Sequence, residues 1–191
     1  PEDNEKNQII INEIANLVAD SIPIIKKLKY LTTSFLEVLP IDLENCHEPI
    51  YNSIFESVKN KFLSEEKLLP TNHSGFAHPS DSILARGIVL TKLLKSKDIK
   101  FLFEKSHWLD TKITYDRTRL LREYLINELE IDEVDFEYFS DSINEKFMKS
   151  KNDEWVIAYY GELIERETLF RKKRNFRSKV GALRQKPIIR L

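Results

Sequence analysis

The chain has 191 residues, with 30 Lys or Arg against 31 Asp or Glu and a net charge of −1. That length suits one ordinary domain or two small helical lobes, and 41% hydrophobic residues can build a core. Only 4 glycines and 7 prolines disfavour a turn-rich β-sandwich, the single cysteine, Cys46, excludes an internal disulfide, and 32% charged residues suit amphipathic helices.

No uninterrupted apolar run approaches the roughly 20 residues that span a bilayer. No secretory signal precedes the first helix, so a cytoplasmic protein with no membrane partner is expected. The chain opens at Pro1, its sole methionine is Met148, and it closes on the strand-like run Pro187-Ile188-Ile189. Those ends predict a fragment of a larger protein.

In chain order, Ile10, Ile14, Leu17, Val18, Ile22 and Ile25 recur at three- and four-residue steps and predict an amphipathic helix from Ile9 to Ile25. Pro23 is expected to kink or end it. The run Phe35–Pro40 reads equally as helix or strand. Pro49 suits the first position of the next helix, with Ile50, Ile54, Val58 and Phe62 as its buried stripe.

Leu68–Thr71 and Phe76–His78 flank a turn ending in Gly75, which predicts a β-hairpin. Ser80 or Asp81 then caps a helix with Ile83, Leu84, Ile88 and Leu94 inward. Three further helices are expected. One covers 115–129 and buries Leu121, Tyr124, Leu125 and Leu129. Another follows the cap Asp135 and buries Phe136, Phe139, Ile143 and Phe147. The last follows Asn152 or Asp153 and carries Trp155, Val156, Tyr159, Tyr160, Leu163 and Ile164.

The fold class expected is mainly α, a multi-helix bundle with a small hairpin near residues 68–78 and a strand-like C-terminal end. Three parts divide it: an N-terminal helical part over 1–66, the hairpin with helices over 67–150, and an amphipathic helix with a basic segment over 151–191. They also read as one continuous domain.

Charge is polarised along the chain. Residues 128–145 hold eight carboxylates and no Lys or Arg, whereas residues 165–191 hold ten basic residues against Glu165 and Glu167. The tail is therefore +8 and the rest −9. Arg171, Lys172, Lys173, Arg174, Arg177 and Lys179 are the candidate nucleic-acid contacts, with Phe170 and Phe176 placed to stack on bases. A solvated helix, paired with the acidic stretch or another domain, accounts for the same cluster.

Other chemistry is weaker. Cys46, His47, His73 and His78 are metal-ligand types without paired short spacings. Ser74, His78 and Asp81 have the residue types of a hydrolase but no nucleophile elbow. The carboxylates of 128–135 can hold Mg²⁺ in principle, though a solvated helix end is the simpler account. Neither a Walker loop nor a Gly-x-Gly-x-x-Gly run is present. Trp155, Tyr159 and Tyr160 read as core.

A family resemblance adds to this. Leu69-Pro70-Thr71 before the glycine turn, Ala85-Arg86-Gly87, His107-Trp108-Leu109 with Ile113–Thr118, Glu154-Trp155 leading to Tyr160, and the closing Leu183–Leu191 carry it. Together they resemble the segment that follows the GHKL-type ATPase domain in bacterial sacsin-like proteins, from about residue 10 to the end. The resemblance implies that ATP and Mg²⁺ belong to a domain upstream and that this chain holds no cofactor and no catalytic residue. It implies a helical coupling or interaction region that is not itself an enzyme, with other domains of the parent chain and other proteins as partners. A nucleic-acid-binding module is the alternative.

Overall fold

The computed structural model describes residues 5–42, 48–73 and 75–166. The fold is mainly helical with a small antiparallel hairpin. The expected C-terminal strand, and the basic segment Arg171–Lys179, lie outside the described residues. Contacts within the chain divide it into two compact units, one from 1–84 with 106–133 and one from 85–105 with 134–191.

In the first unit, α1 (Glu5–Lys27) packs on α3 (Asn52–Leu63). The buried residues are Ala15, Ala19 and Ile22 of α1 and Val58 and Phe62 of α3. Pro23 does not end α1, which runs on to Lys27. The stop is a Schellman arrangement. The Tyr30 amide donates to the Ile25 carbonyl and the Lys29 amide to that of Lys26, with Lys29 left-handed at φ 64°.

The ambiguous run near Phe35 contains one helical turn, α2 (Thr33–Leu36), with the Thr32 hydroxyl accepting from the Phe35 amide. A 3₁₀ turn at Pro49–Tyr51 leads into α3, so Pro49 takes a first-turn position as its missing donor allows. The expected hairpin is present. β1 (Leu69–Pro70) pairs antiparallel with β2 (Phe76–Ala77), register Leu69 with Ala77.

Residues 82–85 depart from the sequence expectation. They form β3 (Ser82–Ala85), not the start of a helix, and the helix begins later as α4 (Ile88–Leu93). Ser82, Ile83 and Leu84 are all buried, and a run with no exposed alternate satisfies a central strand as well as a helix. β3 lies between β4 (His107–Trp108), parallel to it, and β5 (Glu133–Val134). Gly87 at φ 109° makes the turn from strand to α4 that a side chain would strain.

The helix expected over 115–129 is shorter, α6 (Arg119–Asn127). The Thr118 hydroxyl accepts from the Thr114 amide and donates to the Thr114 carbonyl, holding the preceding residues as a turn. Leu121, Leu125 and Leu129 join Ile22, Val58, Phe62, Leu68 and Leu84 in one core cluster, as expected.

In the second unit, α5 (Ser96–Phe103) ends at Glu104 in a left-handed conformation. The helix expected after Asp135 is two helices, α7 (Phe136–Ser142) and α8 (Glu145–Lys149). Asp135 caps the first, and Asn144 restarts the chain by accepting from the Phe147 amide. Then α9 (Asp153–Ile164) opens on the cap Asn152. It buries Val156, Tyr159 and Leu163, while Ile164 is exposed and not inward as its spacing suggested.

Aromatic rings fill this unit. Tyr159 is fully buried, stacked on Trp155 at 5.2 Å and on Phe136 at 6.0 Å, with Phe139 edge-on at 5.7 Å. Beside them sits a buried ion pair. The Lys151 ammonium is 2.5 Å from Asp98 and lies over the Phe147 ring at 4.2 Å. Asp98 also accepts from the Lys95 amide, so the carboxylate caps α5 and answers Lys151 at once.

Candidate interaction surface

The catalytic and metal-type residues singled out from the sequence hold local structure, stand exposed or lie outside the described residues. Cys46, His47 and Ser74 are in the latter group. His73 is exposed in the hairpin turn. The His78 ring accepts from the Ser80 amide at 3.2 Å, capping the 3₁₀ turn Pro79–Asp81, and its other nitrogen faces the Leu63 carbonyl at 3.4 Å. The Ser80 contact fixes Nδ1 as acceptor, so Nε2 carries the proton. Asp81 meets His107 at 3.7 Å. Among the described residues, no three His, Cys, Asp or Glu side chains are grouped to hold a metal.

The acidic stretch is likewise engaged in holding the fold. Glu128 pairs with Lys59 at 2.8 Å, and that hydrogen bond raises the lysine's pKa. Glu133 pairs with the buried Arg122, and Asp135 caps α7. Arg166, the described start of the basic segment, is held to Glu162 at 2.7 Å and lies over the Phe136 ring at 4.4 Å.

Hydrogen bonds to Glu123 and Lys149 raise Arg119 and lower Glu145, whereas burial dominates the shifts of two tyrosines and a lysine. Desolvation raises Tyr159 to about 12 and drives Tyr124 higher still, with Glu128 and Glu56 adding to the latter. Desolvation lowers Lys151, against the pull of Asp98. None of these groups opens into a site of useful size. The cleft beside Tyr124, lined by Asp42, Glu123 and Glu128, holds about 70 Å³. Small-molecule sites take several hundred.

What the structure does present is one face of α1. Ile10 is 56% exposed, Ile14 41%, Leu17 71%, Ile24 55% and Leu28 59%. Three of these, Ile10, Ile14 and Leu17, belong to the stripe that spacing predicts; its other members face inward beside Ala15 and Ala19, Ile22 buried and Val18 and Ile25 packed against the core. The helix is apolar on two faces, and the one with alanines is buried. Alternation of aliphatic and small residues was the readable signal for that choice.

The exposed set has its own order. Ile10, Ile14, Leu17, Ser21, Ile24 and Leu28 follow steps of four, three, four, three and four, the seam of a heptad repeat. Ser21 is the polar member, and its hydroxyl donates to the Val18 carbonyl at 2.7 Å. Glu13, Asp20 and Lys27 flank the seam at seven-residue intervals.

The expectation that no segment is apolar enough to span a bilayer needs qualifying. By length and composition, the 23 residues of α1 pass that test, with a mean hydropathy of 1.3 over 18 of them. Of that window 17% is buried, and the buried residues of the helix are Ala15, Ala19 and Ile22. No protein-family model, no curated protein and no solved structure matches the chain.

Proposed function

We propose that this chain is a non-catalytic helical interaction region whose docking surface is the outer face of α1, recognising an apolar helix. One observation carries the reading: an exposed aliphatic seam, interrupted only by Ser21, on a helix already held in place by its own core. Such a helix binds without the ordering cost that a free peptide pays. Glu13 and Asp20 beside the seam favour a protein partner over the hydrocarbon of a membrane.

The reading agrees with the coupling segment that the sacsin-like resemblance implies, where ATP and Mg²⁺ would belong to a domain upstream. Two measurements test it. The purified chain should release no phosphate from ATP, and it should not float with phosphatidylcholine vesicles. Turnover of ATP, or flotation abolished by Leu17→Glu, contradicts it.

The +8 charge of residues 165–191 supports a second reading, a nucleic-acid contact through Arg171, Lys172, Lys173, Arg174, Arg177 and Lys179. Affinity for a short duplex should then fall steeply with salt and vanish on charge reversal at Arg171, Lys172, Lys173 and Arg174. Binding that survives the reversal rejects it.

A further inference from the structure

We infer that the occupant of the α1 seam is α1 of a second copy of this chain, packed antiparallel; this rests on reading that face as an interaction surface. The seam is its own complement. In an antiparallel pair centred on residue 19, Ile10 packs on Leu28 of the second copy, Ile14 on Ile24, and Leu17 on Ser21. Every seam position then finds a seam position, as a two-fold interface requires. From Ile10 to Leu28 the contact is about 27 Å long at the helical rise.

Charge selects the direction. In the antiparallel arrangement Glu13 of each copy faces Lys27 of the other, so symmetry supplies two opposite-charge pairs. Neither residue has an ion-pair partner within the chain among the described residues. Asp20 meets its counterpart on the axis, with Lys61 at 3.8 Å to temper the repulsion. A parallel pair instead sets Glu13 against Val18 and Asp20 against Ile25, with no charge matched. Ser21 costs little in the antiparallel seam, because its proton already goes to the Val18 carbonyl and its small side chain admits Leu17.

Sedimentation equilibrium of the 191-residue chain tests this from low to high micromolar concentration. Association to twice the 22.6 kDa chain mass is expected. Leu17→Glu should weaken it by about a hundred-fold or more, since it buries an unpaired charge at the centre. Because Leu17 is exposed in the single chain, its melting temperature at low concentration should not change.

Glu13→Lys should weaken association by about three- to ten-fold through two surface pairs. Adding Lys27→Glu in the same chain should restore it to within about two-fold. A parallel dimer would ignore both changes. A chain monomeric at every concentration, or a dimer indifferent to Leu17→Glu, overturns the second copy as occupant and leaves the interaction reading standing. Flotation on phosphatidylcholine vesicles that Leu17→Glu abolishes overturns both.

Discussion

The two units of the chain reach stability by different chemistry. The first has a mainly aliphatic core, with Phe62 and Tyr124 meeting edge to face at 6.5 Å and Trp108 also buried. Its ion pair Lys59 with Glu128 is partly exposed, while Arg122 with Glu133 is more deeply buried. The second is built from stacked rings around Tyr159 and encloses the Lys151–Asp98 pair. Aliphatic packing leaves a helix free to be apolar on a second face, as α1 is. Ring stacking fixes geometry more narrowly, and a buried charge pair narrows it further, because alternatives leave an ion unpaired.

That contrast is sharpest in substitutions. Phe139→Ala should cost about 4 kcal/mol in urea unfolding, because it empties the space between Tyr159 and Phe147. Lys151→Ala should cost about 3 kcal/mol by leaving Asp98 buried without its cation. In the first unit, Lys59→Ala should cost under about 1 kcal/mol. Equal losses at Lys59 and Lys151 would break the comparison.

Alkaline pH probes the same difference. Tyr159 titrates near 12 in the folded chain against 10.0 for a free phenol, so the folded state keeps its proton where the unfolded chain has lost it. Stability from this group is complete below pH 10 and lost as pH rises through about 12. Tyr124 acts in the same direction. Tyr159→Phe should flatten the alkaline fall.

The smaller effects follow. Lys29→Gly should stabilise the chain by about 0.5–1 kcal/mol by relieving a left-handed lysine at the end of α1. At neutral pH Tyr159→Phe should change stability by less than about 1 kcal/mol, since Ser140 is at most a weak partner for the buried Tyr159 hydroxyl.

Local rules made much of this fold legible. Caps at Asp135 and Asn152, proline at the start of the 49–63 helical segment, and the glycine turn of the hairpin each follow from side-chain chemistry within a few residues. β3 was not legible, because the burial of Ser82–Leu84 depends on strands 20 to 50 residues away in the chain. The division of the expected helix after Asp135 was readable at Asn144, a cap residue inside an apolar pattern.

The candidate surface was half legible. Its residues stood in the periodic pattern of α1, but that pattern does not say which of two apolar faces meets the core. The face that meets the core is the one with Ala15 and Ala19, both buried. The nucleic-acid candidates from Arg171 to Lys179 rest on charge in the sequence alone.

The account turns on α1 and its partner. A spin label at Glu5→Cys, with Cys46→Ser to remove the native thiol, reads the arrangement directly by electron-electron distance. Antiparallel pairing centred on residue 19 predicts a separation of about 42 Å from the helical rise over 28 residues. A separation of about 10 Å, the spacing of adjacent helices, or no intermolecular distance at high concentration, would contradict it.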